Sequence, residues 1–320
     1  MVTHTPAVFS ARAGEGRPAW WKPPCVLALA VAAMLVGNIP LIVIAHRSEA
    51  VRQRGIDVAG FTPEVAGLTP QAFLFFTLLP FVLAVAILLL AVWLFERRGW
   101  RTLLTGARRR PRYRRLLTSC AAWLLLAGIS DALLRAGGLA AFAYAVDWDA
   151  LLPVALVALA LIPFQIAFEE LSTRGYVHQV VSWYGGRPLY GVLASSILFA
   201  ALHLGNPEVV RFGLWPMMLY YGGVALFLGL VTVLDDGLEL AVGIHLATNI
   251  YAVIIVNHEG SALPMPSAWT LVDPAPALFP AIFVARALVF GLLFARSGSW
   301  RLLALFRPIL RRRTPNPSTA

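Results

Sequence analysis

An all-α, polytopic bundle of about eight membrane-crossing helices is the fold class this 320-residue sequence predicts. Three observations predict it. Hydrophobic residues make up 59% of the chain and charged residues 13%, against roughly 25% charged in soluble domains. Mean hydropathy is +0.74. The apolar residues also gather in runs of about 20, the length that crosses a hydrocarbon core. This composition excludes a water-soluble enzyme, a disordered regulator and a disulfide-stapled secreted domain. Cys25 and Cys120 sit inside or beside apolar runs and read as small buried hydrophobes.

In chain order the spans fall at residues 25–44, 72–95, 116–136, 151–183, 189–204, 213–234, 238–257 and 277–295. The first is long and follows 24 residues, so it reads as an uncleaved anchor. The organisation is a basic cytoplasmic tail (1–24), a membrane-embedded helical domain (25–296) with a polar-motif core near 150–255, and a second basic tail (297–320). Residues 314–320 read as disordered. The proline-rich stretch 263–276 reads as an ordered external loop rather than a helix.

Charge fixes the expected orientation. Of 26 basic residues, twenty lie in the tails and loops on one side and four on the other (Arg47, Arg52, Arg54, Arg211). Positively charged loops stay inside, so both termini should be cytoplasmic, in a cell (inner or plasma) membrane. The net charge of +10 does not indicate nucleic acid, because the arginines flank apolar runs and suit anionic lipid headgroups. Residues 97–115, with nine arginines and interspersed Trp100, Leu103, Leu104 and Tyr113, read as a basic segment on the inner membrane surface.

Ionisable groups inside a bilayer are costly and mark function. Three clusters stand out. In the first, Glu169 and Glu170 are followed by Arg174. Glu170 and Arg174 stand one helical turn apart and can pair. Glu169 then points about 100° away and is free to face a cavity as a general base. In the second, Phe199 and His203 share a helix face, so the ring can orient the imidazole. In the third, His245 and Asn249 share a face, and two donors placed together can stabilise an oxyanion. A base, a water positioner and oxyanion donors on three helices are what peptide hydrolysis needs. Each cluster also has a bland reading: a solvated helix end, a satisfied core histidine, or polar glue between helices.

Other polar residues read as structural. Asp131 and Arg135, at i,i+4, form an expected intramembrane pair, and Arg286 snorkels or meets an acidic neighbour. Asp235-Asp236 reads as a solvated helix end. A metalloprotease H-E-x-x-H is absent, because His258-Glu259 has Ala262 at the place of the second histidine. Ser195 and Ser196 lack a Gly-x-Ser context.

The ordered set Glu169-Glu170-x-x-x-Arg174, Phe199-x-x-x-His203 and His245-x-x-x-Asn249 resembles the three motifs of the CPBP family of intramembrane glutamic endopeptidases. That family includes the Rce1-type CAAX prenyl proteases and bacterial Abi-type relatives. The resemblance implies an intramembrane protease. In it Glu169 activates water with the help of His203, and His245 and Asn249 form an oxyanion hole. Glu170, Arg174 and Phe199 would support the site. It implies no cofactor, although two histidines and a glutamate leave zinc as a minority option. The implied partner is a membrane-associated peptide or protein, reached from a site open to the cytoplasm. Lys22 is the single lysine, which suits an arginine-favouring bacterial genome, and bacteria generally do not make prenylated proteins. The alternative is a non-catalytic membrane scaffold or bacteriocin-immunity-type protein that retains the fold.

Overall fold

A computed structural model describes residues 8–54, 61–295, 300 and 302–309. Residues 314–320, expected to be disordered, lie outside the described residues. Eight apolar helices build the bundle: α1 (Lys22–Ala45), α2 (Pro70–Ala91), α3 (Tyr113–Ala136), α4 (Trp148–Glu170), α5 (Pro188–Leu202), α6 (Leu214–Asp235), α7 (Glu239–Ile250) and α8 (Leu278–Ala295). Three of them run on as π-helix, through Val92–Glu96 after α2, Leu171–Val177 after α4 and Tyr251–Ile255 after α7. The fourth then continues as α-helix to Gly185.

Six of these are long and apolar enough to cross a membrane, making this a multi-pass membrane protein; the longest is the 38-residue Trp148–Gly185. The helices of the other two expected spans form but are shorter. α5 stops after 15 residues where the chain turns into the short helix Pro207–Phe212. The extended α7 ends where the strand Val256–His258 begins. Helices α1 and α2 pack together and α2 packs on α4, while α7 is sandwiched between α3 and α4. On the other side α5 packs on α6, and α6 on α8.

The all-α expectation missed a small sheet. Strands β1 (Ala141–Tyr144), β2 (Val256–His258) and β3 (Trp269–Val272) lie in the order β1-β3-β2, with β1 antiparallel and β2 parallel to β3. The proline-rich loop is therefore ordered and not helical. Strands of three or four residues carry almost no periodic signal, and they form here because β3 can bridge the segments that follow α3 and α7.

The bundle's arginine-rich end is closed by a folded cap. Leu103 and Arg98 are fully buried. Arg98 pairs with Glu96 at 2.9 Å and donates to Gln179, and Tyr176 donates to Glu96 at 2.6 Å. Leu238 N–H donates to the Leu104 carbonyl at 2.9 Å, which ties the cap to the α6–α7 turn. Asp235 and Asp236 are not a solvated helix end. Asp235 pairs with Arg112 at 2.9 Å and with Arg115, and Asp236 accepts from the Phe9 and Ala107 amides, each at 2.8 Å.

The expected tails are partly docked as well. Phe9, Ser10 and Arg12 are buried, with Ser10 Oγ 2.8 Å from His178 Nε2. Near the other terminus, Ile309 N–H donates to the Gly186 carbonyl at 2.8 Å.

The expected Asp131–Arg135 pair does not form. Asp131 pairs instead with Arg286 of α8 at 2.6 Å and accepts from Tyr251 at 2.8 Å. Arg135, near the end of α3, lies over the Trp269 ring at 4.5 Å. Pairing across helices neutralises both groups inside the bundle, whereas Arg135 sits at an exposed helix end where no such compensation is required.

The cap touches the site-bearing helix at Gly175, where an added Cβ would lie 2.8 Å from the Leu103 carbonyl oxygen. Gly175→Val is expected to destabilise the protein by about 1–3 kcal/mol through overpacking. Gly99→Val, where nothing lies within 4 Å, is the control. Thermal unfolding in detergent checks this, and equal melting of the two variants refutes the close approach.

Candidate active site

The three clusters converge. Ser172 Oγ donates to the Glu169 carbonyl at 3.3 Å, and Thr173 Oγ donates to the same oxygen. These bonds lie in the π segment that follows the two glutamates, and such segments recur at functional sites. Glu170 and Arg174 are both completely buried and pair at 2.8 Å. Arg174 also donates to Thr173 Oγ at 3.2 Å and to the Ala225 carbonyl at 3.3 Å, and its guanidinium lies 4.2 Å from the Phe199 ring centre. A buried guanidinium needs several acceptors, and here α4, α6 and an aromatic face of α5 supply them.

Glu169 faces the other way. Its side chain is 16% exposed and lines a cavity of about 250 Å³ together with His203, His245 and Asn249. Gln165, one turn earlier, donates to Glu169 Oε1 at 3.2 Å and accepts from Asn249 Nδ2 at 3.4 Å. The carboxamide of Gln165 thus links α7 to the candidate base.

His203 caps the end of α5. Its Nδ1 lies 2.7 Å from the Phe199 carbonyl and its ring stacks on Phe199, with centres 4.3 Å apart. A carbonyl can only accept, so Nδ1 carries the proton and Nε2 is left as a lone pair. Tyr221 lies against the imidazole at 4.5 Å, and Asn206 donates to the Tyr221 hydroxyl at 3.1 Å.

His245 approaches both glutamates. Its Nδ1 is 2.8 Å from Glu170 Oε1, and its Nε2 is 3.5 Å from Glu169 Oε2. The imidazole stands between the two carboxylates. With Nδ1–H given to Glu170, donation from Nε2 as well requires the doubly protonated ring. Among the described residues, no group of three or more His, Cys, Asp or Glu side chains is arranged to hold a metal ion.

The cavity lining extends away from the arginine-rich cap, through Asn206 and Glu208 to His258 and Ala262. The fourth helix runs on to Gly185, as its unbroken apolar pattern predicts, and so holds Glu169 within the bundle. Tyr176, His178 and Gln179 are buried at that end. At the other end, burial pushes the Glu208 carboxyl above its ordinary pKa and the His258 imidazole below its own.

Sequence reasoning missed Gln165, Asn206, Tyr221 and Glu208. Gln165 had a signal, being a lone carboxamide one turn before Glu169 in an apolar run. The other three come from a loop and from the next helix, where spacing carries no information.

The fold and these side chains define a membrane-embedded helical protein with a polar, glutamate- and histidine-lined cavity. Residues 148–251 match the family model described as type II CAAX prenyl endopeptidase Rce1-like. That stretch begins at α4 and contains all three motifs, so the resemblance read from them holds over the motif-bearing core. The chain is also similar to the uncharacterized protein YyaK of Bacillus subtilis (strain 168), with 29% identity over 137 residues. That match covers 42% of this chain and 45% of YyaK, so the chain spans under half the length of this relative. No solved structure matches the chain.

The two neighbouring glutamates should behave differently when removed. Glu170→Ala strands a fully buried guanidinium and is expected to cost about 3–5 kcal/mol. Glu169→Ala, with no arginine partner, should cost about 1 kcal/mol or less. Thermal unfolding in detergent compares them, and an equal loss refutes the division into a structural and a cavity-facing carboxylate.

Proposed function

We propose that the protein is an intramembrane endopeptidase that hydrolyses peptide bonds of membrane-associated proteins or peptides. The observation that carries this reading is the separation of the paired glutamates: Glu170 is locked to Arg174, while Glu169 is left at the cavity beside His203, His245 and Asn249. Glu169 takes a proton from a water that the Nε2 lone pair of His203 helps to orient. The hydroxide adds to the carbonyl carbon, and the resulting oxyanion receives hydrogen bonds from Asn249 Nδ2 and from the His245 imidazole. The protonated Glu169 then passes its proton to the leaving nitrogen, and the C–N bond breaks. One water is consumed, and one carboxylic acid and one amine are formed.

This scheme uses no metal or other cofactor. The exposed arginines of the cap, such as Arg108, Arg110 and Arg114, are suited to anionic headgroups, and no nucleic-acid partner is invoked.

Sidedness follows from charge and cavity together. With the arginine-rich end in the cytoplasm, the lining through Asn206, Glu208 and Ala262 belongs to the opposite face of the membrane. Substrates then enter from the extracytoplasmic side, in place of the cytoplasmic access first expected.

Two measurements test these readings. Purified protein in nanodiscs is given a library of membrane-anchored peptides, with products read by mass spectrometry. Glu169→Ala and His203→Ala should each lower cleavage by about 100-fold or more, Asn249→Ala by about 100- to 1,000-fold, and a strong chelator should change nothing. Variants that cleave like the parent protein refute the roles, and a parent protein that cleaves nothing favours the scaffold alternative. For sidedness, cysteines are introduced singly at the exposed Ala262 and Ala107 in a background lacking Cys25 and Cys120. A membrane-impermeant maleimide added to intact cells should label position 262 and spare 107, and the reverse pattern overturns the extracytoplasmic assignment.

A further inference from the structure

Besides Glu169, the cavity is lined by two carboxylates that the hydrolytic scheme does not use, Asp131, which is paired with Arg286, and Glu208. Glu208 lies in the short helix Pro207–Phe212, between α5 and α6, and is only 7% exposed. Its Oε1 accepts the Ala262 amide at 2.7 Å, while its Oε2 is buried without a hydrogen bond of ordinary geometry, the Tyr221 hydroxyl being the polar group beside the carboxylate. The nearby cations are engaged elsewhere. Arg211 pairs with Glu259 at 3.1 Å and with Asp273 at 3.6 Å, and Arg286 is held by Asp131. Among the described residues, Glu208 forms no ion pair.

A buried, half-satisfied carboxylate is destabilising unless something completes it. Its position in the first turn of a short helix explains an acidic residue there but not its burial against the cavity. Tyr220, Tyr221 and Phe279 line the same part of the cavity, and the Tyr220 and Phe279 ring centres are 6.1 Å apart. Aromatic faces around a buried carboxylate form a recognisable receptor for an organic cation. The cavity is continuous from Glu208 to Glu169, so one bound chain can reach both.

We propose that Glu208, with the aromatic wall of Tyr220 and Tyr221, is a specificity subsite for a positively charged group of the substrate, and that the group is a lysine or arginine side chain near the scissile bond. This rests on the protease reading for its place beside the reaction but not for its ability to bind. Burial raises the Glu208 carboxyl above its ordinary pKa, and an opposite charge beside it acts in the other direction.

The test measures binding and cleavage separately. Binding uses full-length Glu169→Ala protein in nanodiscs and membrane-anchored peptides that carry lysine, arginine or the uncharged isostere norleucine at one position, each with a free or acetylated amino terminus. The basic peptides should bind at least about 10-fold more tightly than the norleucine peptide, whichever terminus is present. Adding Glu208→Gln, which keeps an acceptor for the Ala262 amide, should bring the ratio to within about two-fold of unity. Glu208→Asp, which keeps the charge on a shorter arm, should give an intermediate ratio and guards against misfolding of the first variant. In the catalytically intact background, the lysine-to-norleucine ratio of kcat/KM should collapse in parallel.

A ratio that Glu208→Gln leaves unchanged overturns the subsite. So does a preference that follows only the free amino terminus, or equal binding of lysine and norleucine peptides by the parent. Selective binding without any cleavage would retain the subsite and overturn the protease.

Discussion

A charge taken out of water must be met by another charge and by enough hydrogen bonds to replace hydration, and in this bundle the Glu170–Arg174 pair imposes that demand on everything around it. The guanidinium draws in a carbonyl of α6 and the ring of Phe199 on α5. The carboxylate draws in His245 on α7. The Phe199 carbonyl in turn fixes the tautomer of His203. One fully buried ion pair therefore sets the relative placement of the helices that carry the three motifs. Its neighbour Glu169 is left outside that network because consecutive helical residues diverge by about 100°. Two adjacent and chemically identical side chains are thereby assigned different tasks by helix geometry alone.

The two ends of the bundle are built on different principles. At the arginine-rich end, acidic residues at helix termini and arginines from the preceding loop neutralise one another, and Leu103, Tyr176 and Leu238 pack beneath them. That end is filled. At the other end a short helix, a three-stranded sheet and a proline-rich loop enclose space, and polar groups such as Asn206, Tyr221 and Glu208 border it. Regular helices can fill a bundle, whereas a cavity at its mouth is shaped by irregular chain between them. The polar residues of that irregular chain are the ones least visible in periodicity.

The eight apolar helices were legible because runs of about 20 apolar residues admit few other structures. The Glu170–Arg174 pair and the Phe199–His203 stack were legible because i,i+4 spacing within one helix is a local property. The Asp131 pairing was not. Arg135 satisfied the same spacing rule, yet Arg286, 155 residues away, is the partner. The run of the fourth helix beyond Glu169 to Gly185 was legible, because no helix breaker interrupts its apolar pattern before that point. What packs against its end was not, because that is a tertiary fact. His245 was correctly placed near the glutamates, but its lodging between two carboxylates could not be read from the spacing of His245 and Asn249. The short strands of the sheet were lost for a related reason, since three residues hold too little pattern to separate a strand from a loop.

The docking of the N-terminal segment bears on the order in which the molecule is completed. Phe9 bonds to Asp236, 227 residues further along the chain, and Arg12 donates to the carbonyl of Gly106. During synthesis the first helices emerge long before the α6–α7 turn exists to receive that segment. Until then Phe9 and Ser10 lack the Asp236 part of their binding place, and the arginine-rich end stays unsealed. The closed end is thus a late event, available only to a chain that has made and inserted its sixth helix. A protein truncated before that point would carry the glutamates of the first motif in a bundle still open at the end that the finished molecule keeps shut.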